Sequence, residues 1–372
     1  MIYKFNNKMI TSILNIIPSN EVKYEDEIHN YNFYNKSSVK LKELMGYEKH
    51  RYYSENVTLS EVAFYGINIL IENRIINLSD IGAILFVSES RDYLMPPTSN
   101  IIHGKISKKY NKQYDIYGKL DESVICIDIP QACTGFTLGL YQSYLLLDIL
   151  KNKKVLLING KTKHYSFFKD RSTWPLLGEA CSLSIIENSG NNKIFFSNYV
   201  DGINYDSLYI PAGGTVNPSS NDSLKYYYDE EGNQKNLHHI HMNGFDIYKF
   251  TQEIVPKEIK KIMLESNTND GDIYCYLLHQ PNKFILEKLR EKLDFIKNND
   301  KFKTNIVGIF GNSASSTIPI LIANNYKSFF QKNIRKVLMC GFGAGLSCNC
   351  IITDFGNLKF LKTIEYLPNQ ET

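Results

Sequence analysis

The 372-residue chain has one tryptophan, 11 prolines and no long apolar run. Its densest hydrophobic stretches, such as Tyr144-Leu145-Leu146-Leu147 closed by Asp148, fall far short of the roughly 18 to 20 residues that a membrane-spanning helix needs. The apolar segment 10–17 is not followed by a small-residue cleavage site, so no secretory signal is expected. Seven cysteines is an odd number, scattered from Cys126 to Cys350, which argues against a disulfide framework and for reduced thiols in the cytoplasm. Neither sign of charge dominates: 42 Lys and Arg against 39 Asp and Glu leave +3, and no nucleic-acid partner follows from that balance. What the chain does have is 43% hydrophobic residues, with 26 Tyr and 20 Phe, enough for a large packed core in one big domain or two of ordinary size.

Hydrophobic patterning alternates between the two periods. Residues 59–76 carry apolar positions at helical spacing, and the β-rich run 81–88 follows at once. Strands are expected at 124–129, 154–160 and 181–187, with an apolar helix over 136–150. The second half repeats the order. A helix over 245–266 interrupted at Pro256 is followed by strand 273–278, helix 282–293, strand 306–310, helix 314–330 and strands 336–340 and 346–353. Continuously apolar strands between helices imply an α/β sheet covered on both faces. KVL then Gly160 in the first half echoes KVL then Gly341 in the second, which suggests duplication into halves 1–190 and 191–372. Between them, 201–244 is polar and rich in Gly, Asn, Ser and Tyr, the composition of a connector that frames a site or covers it.

Four strand ends carry residues capable of chemistry. Gln131-Ala132-Cys133-Thr134-Gly135-Phe136 puts a thiol between a strand and an apolar helix, where the helix dipole favours thiolate. A buried structural cysteine is the plain alternative. His279 in Leu278-His279-Gln280-Pro281-Asn282 sits at the carboxyl end of a strand, where α/β sheets place ligands, although a structural imidazole is equally simple. Asn312 opens Gly311-Asn312-Ser313-Ala314-Ser315-Ser316-Thr317 and reads by itself as a helix N-cap. The glycine-rich Gly341-Phe342-Gly343-Ala344-Gly345 precedes a strand, so no helix terminus exists there for a dinucleotide; its N–H groups could contribute to an oxyanion hole.

These four motifs, in this order, resemble the Cys, His and Asn motifs of 3-oxoacyl-[acyl-carrier-protein] synthase III in the thiolase superfamily. The resemblance extends to 92–99 (DYLMPPTS) before the nucleophile, to 170–173 and 177–179, and to 242–244. It implies a duplicated thiolase-like fold, two βαβ-rich halves in a layered αβαβα arrangement, the first carrying the cysteine and the second the His and Asn. It further implies an acyltransferase that loads an acyl primer on Cys133 and condenses it with a malonyl-type thioester in a decarboxylative Claisen reaction. His279 and Asn312 would stabilise the enolate, and the N–H groups of Cys133 and Ala344 the oxyanion. Met95, Arg171 and Asn282 would contact substrate. Acyl carrier protein is the implied partner, with acyl thioesters of that carrier or of coenzyme A as substrates, a homodimer as the assembly, and neither metal nor cofactor. The segment 40–46, however, holds neither the Trp nor the Arg that usually grips the adenine end of coenzyme A in that family.

Acyl transfer from Cys133 to an amine or hydroxyl without decarboxylation, and a non-catalytic partner subunit, are the competing functions. A cysteine hydrolase would need a His beside the thiol as general base, and 131–136 lacks that family's local signature. The histidines at 238, 239 and 241 have no acidic or cysteine partner at metal-ligand spacing. Lys257, Lys260, Lys261 and Lys283 form either a solvated face or a dock for an acidic carrier.

Overall fold

In the computed structural model, residues 1–31, 36–162, 165–296, 298–304, 306–329 and 334–368 are described. The last residue of the helix expected over 314–330 lies outside them.

Nine strands form the main sheet: β1 (Ile2–Ile17), β2 (Ile81–Val87), β3 (Ile125–Ile129), β4 (Lys154–Lys161), β5 (Ala180–Val200), β6 (Cys275–Leu278), β7 (Arg335–Gly343), β8 (Ser347–Phe355) and β9 (Phe360–Glu365). The path runs β6-β7-β8-β5-β4-β2-β3, with β1 antiparallel to β5 and parallel to β9. The 21-residue β5 lies between β4 and β8. Its first part pairs with β4, its last part with β8, and β1 accompanies it along both.

Six helices position the site: α1 (Leu59–Glu72), α2 (Thr98–Tyr110), α3 (Gly135–Ile149), α4 (Gly244–Glu265), α5 (Lys283–Lys292) and α6 (Thr317–Phe329). Side chains of a strand alternate between faces, and both faces here are buried. On β2, Ala83, Leu85 and Val87 enter a central core, while Ile81, Ile84 and Phe86 enter an outer one with α1 and α2. On β7, Val337 and Met339 enter the same central core, while Leu338 and Cys340 enter a second outer core with α4 and α5. Helices α3 and α6 fill the central core through residues such as Phe136, Leu140, Ile318 and Leu321. The layers are therefore α1/α2, sheet, α3/α6, sheet, α4/α5, the αβαβα arrangement of a thiolase-like fold.

Segment 10–17 is the inner part of β1, held between β5 and β9. Two local expectations change. Residues 307–310 form a short helical turn instead of a strand, and Phe302 supplies the one isolated bridge to Tyr276. A five-residue apolar run satisfies either period, so only its packing decides. Helix α4 runs unbroken through Pro256, because burial of Val255, Ile259 and Ile262 outweighs the one internal hydrogen bond that proline removes. No helix among the described residues is long and apolar enough to cross a membrane.

Candidate active site

A cavity of about 410 Å³ opens at the carboxyl ends of β3, β4 and β6, and Cys133, His279, Asn312 and Ala344 all line it. Cys133 follows β3 by four residues and precedes α3 by two. The backbone N–H groups of Cys133 and Ala344 lie near enough to the Cys133 sulfur to favour its charged form. Gly343 packs against the same side chain: a Cβ there would lie 2.6 Å from Cys133 Cβ and 3.0 Å from Sγ. Glycine at 343 is therefore required by close approach, and it lets the turn aim the Ala344 amide at the sulfur.

The thiol itself departs from the helix-dipole expectation. Burial, then the neighbouring Glu89 carboxyl, pushes the Cys133 pKa up to about 12, and Lys161 and the two amides offset only part of the rise. At neutral pH the sulfur is thus a protonated thiol. Its alkylation rate by iodoacetamide should climb about tenfold per pH unit from pH 7 to 9.5 without a plateau, whereas an ordinary thiol levels off above its pKa of about 8.5. A plateau in that range would show a thiolate already formed.

His279 follows β6 and is fully desolvated, which lowers its pKa to about 3 and keeps the imidazole neutral. Its Nδ1 lies 2.8 Å from the Thr317 hydroxyl, leaving Nε2 as the nitrogen available to the cavity. The Thr317 hydroxyl also reaches the Ala314 carbonyl at 3.0 Å, and when it donates to Nδ1 instead, the ring carries its proton on Nε2.

Asn312 is held by the segment 176–178. Its N–H donates to the Leu176 carbonyl, and its own carbonyl accepts from the Gly178 N–H. Gly178 allows this approach, since a Cβ there would fall 2.0 Å from the Phe310 carbonyl oxygen. Ser315 and Ser316 hydroxyls tie the same loop to the Val87 and Asn159 carbonyls. Asn312 Oδ1 accepts from the Ala314 N–H, so the side-chain amide presents its Nδ2 donors to the cavity.

The remaining expected contacts are placed differently. Asn282 lines the cavity, but its Oδ1 caps α5 by accepting from the Ile285 N–H. Arg171 does not line the cavity; its guanidinium donates to the Glu231 carbonyl and pairs with the Glu231 carboxylate, fastening the connector. Met95 lies outside the cavity, 84% exposed beside Tyr93 and Leu94. The connector does frame the site, through Leu208, Ile240 and Met242. His238 bonds Ser223, His239 accepts from the Asn236 N–H, and His241 bonds Tyr227, so the three imidazoles serve the connector's own turns. Glu89 and Lys161, absent from the sequence-based candidates, both line the cavity.

Comparison with known proteins agrees with this geometry. Residues 127–202 match the family model of 3-oxoacyl-[acyl-carrier-protein] synthase III, and residues 263–355 match the model of its C-terminal part. A beta-ketoacyl-[acyl-carrier-protein] synthase III of Clostridium tetani is 31% identical over 276 residues, covering 73% of this chain and 77% of that protein. A putative 3-oxoacyl-[acyl-carrier-protein] synthase 3 of Campylobacter jejuni is 26% identical, covering 95% of this chain and 96% of the relative. The crystal structure of a 3-oxoacyl-(acyl-carrier protein) synthase from Burkholderia xenovorans superposes with a TM-score of 0.84 at 24% identity, over 98% of this chain and 99% of that one, and so supports the fold. With a C. tetani relative above 30% identity along most of both chains, and with matching models in each half, the chain belongs to the 3-oxoacyl-[acyl-carrier-protein] synthase III family.

Proposed function

We propose that the chain joins an acyl primer to a malonyl-type thioester by decarboxylative Claisen condensation, with Cys133, His279 and Asn312 as the catalytic residues. The observation that carries this is their convergence, from both halves, on one cavity with two amides aimed at the sulfur. The halves 1–190 and 191–372 divide the work: the first holds the acyl group, the second the carbanion.

In the first step the Cys133 sulfur attacks the primer thioester. The carbonyl oxygen takes up charge between the Cys133 and Ala344 N–H groups, the C–S bond to the carrier breaks, and the carrier leaves as a thiol with the proton that Cys133 gives up. The malonyl thioester then enters and loses CO2. The electron pair of the broken C–C bond becomes an enolate, whose oxygen accepts from His279 Nε2–H and Asn312 Nδ2–H. Burial suits this role, because a neutral imidazole donates a hydrogen bond without surrendering its proton. The carbanion attacks acyl-Cys133, and collapse of the tetrahedral intermediate breaks the C–S bond, releases the 3-oxoacyl thioester and expels the Cys133 thiolate, which takes up a proton from solvent. Supplying an acyl thioester and a malonyl carrier thioester should yield one CO2 per 3-oxoacyl product, measured by mass spectrometry and trapped bicarbonate. Acyl transfer to an amine or hydroxyl with no CO2 would establish the competing reaction instead.

Acyl carrier protein is the proposed partner, docking on α4 near Lys257. A homodimer is the proposed assembly, supported by Tyr93, Leu94 and Met95, 64%, 82% and 84% exposed on one loop where an apolar surface needs a cover. In such a dimer Met95 would close the partner's acyl pocket. Met95→Ala should then lengthen the accepted primer and Met95→Trp shorten it, read from adduct mass on Cys133. Primer length unchanged in both variants would reject that role.

A further inference from the structure

One carboxyl and one amino side chain in the cavity take no part in these steps. Lys161 ends β4, and Glu89 lies two residues beyond β2. In the sheet β2 stands between β4 and β3, with Val87 opposite both Asn159 and Ile129. Three neighbouring parallel strands thus deliver Lys161, Glu89 and Cys133 along one carboxyl edge, and all three line the same cavity. That edge is where α/β sheets bind ligands.

Lys161 is only 1% exposed, and Glu89 Oε2 is buried with no hydrogen-bond partner. Among the described residues, no hydrogen bond or ion pair engages the Lys161 amino group or joins it to Glu89. Burial raises the Glu89 pKa and lowers that of Lys161, while each group's charge opposes the shift of the other. Elsewhere the cavity wall is largely apolar, with Leu208, Ile240, Ile247 and Phe250. A plain alkyl acyl chain laid along Glu89 and Lys161 would exclude water from both and replace none of the hydrogen bonds lost, which is costly.

We infer that the acyl group carried on Cys133 bears a hydroxyl held between Glu89 and Lys161, so that the primer class is a short hydroxyacyl thioester. A hydroxyl donates one hydrogen bond and accepts two, so it serves the carboxylate and the ammonium together. A carboxylated acyl group offers Lys161 an acceptor but brings Glu89 no donor, and an aminoacyl group offers Glu89 a donor but brings Lys161 no acceptor. The inference rests on Cys133 as the acyl carrier, as proposed above.

The test is a competition among butyryl, 3-hydroxybutyryl, succinyl and β-alanyl thioesters of one carrier, read as intact-mass adducts on the full chain. The hydroxybutyryl adduct should exceed each of the others at least tenfold, since a site built around hydrogen bonds discriminates strongly against analogues that lack them. The double variant Glu89→Gln/Lys161→Met should turn the preference toward butyryl, and Lys161→Met alone should reduce it at least threefold. Because the native chain decides the ranking, a variant that fails to fold does not remove the test. Butyryl labelling equal to or above hydroxybutyryl on the native chain would overturn the inference while leaving acylation of Cys133 intact. So would a succinyl or β-alanyl preference, or an unchanged ranking in a folded double variant. No adduct from any thioester would instead refute Cys133 as acyl carrier, and with it the inference.

Discussion

Cys133→Ala is expected to abolish acyl-enzyme formation and to lower condensation by at least about 10³-fold, the scale on which loss of a covalent nucleophile is felt. No other thiol lines the cavity among the described residues: Cys181, Cys275, Cys340, Cys348 and Cys350 are buried in the core, and Cys126 lies on β3 away from the cavity. The side chain removed is small and half-buried, so the fold should survive and the loss can be read as chemistry. The decisive measurement is intact mass after incubation with an acyl thioester. An adduct persisting on the alanine variant would place the nucleophile elsewhere.

The second large effect separates the half-reactions. His279→Ala and Asn312→Ala should each keep acylation of Cys133 but reduce condensation by about 10²- to 10³-fold, the cost of deleting one donor to a developing oxyanion. The division follows from geometry. The backbone N–H groups of Cys133 and Ala344 lie beside the sulfur, whereas His279 and Asn312 line the cavity from segments far along the chain. Since the His279 ring is neutral down to about pH 3, the condensation rate should show no loss attributable to His279 protonation between pH 5 and 8. Equal impairment of acylation and condensation in either variant would contradict separate roles.

Chemistry and backbone clamping are entangled at Asn312. Its loop is fixed by Leu176 and Gly178, so Asn312→Asp, which preserves the Oδ1 acceptor for the Ala314 N–H, is the informative companion to alanine. The aspartate keeps the loop bond yet replaces the Nδ2 donors with a second acceptor. A fold intact by thermal melting with condensation lost would locate the requirement in those donors.

Much of this protein is written locally. The runs 81–88, 154–160 and 336–340 were legible as buried strands because every position must be apolar when both faces of a sheet are covered. Cys133, His279 and Asn312 stood out because each follows a run expected as a strand, and their roles came from the resemblance of four motifs in one order; the run before Asn312 is in fact a helical turn. The interruption expected at Pro256 and the strand expected at 306–310 failed where local preference and packing disagreed. Tertiary burial of α4 carried the helix through proline, and the clamp of Leu176–Gly178 on Asn312 accompanies a turn at 307–310 where a strand was expected.

By itself, then, the sequence determined the alternation of the central strands and helices and the α/β class through local patterning, and its four motifs pointed to three catalytic candidates through their resemblance to a known family. Only the tertiary structure decided the state of those groups. The Cys133 thiol is raised, not lowered, because Glu89 from an adjacent strand and the surrounding desolvation outweigh the helix end next to it. Arg171, expected at the substrate, is taken by Glu231 some 60 residues away. Glu89 and Lys161 carry no motif at all; sheet register alone sets them side by side at the cavity, since hydrogen-bonded pairing of β2 with β4 joins positions 72 residues apart that no local pattern links.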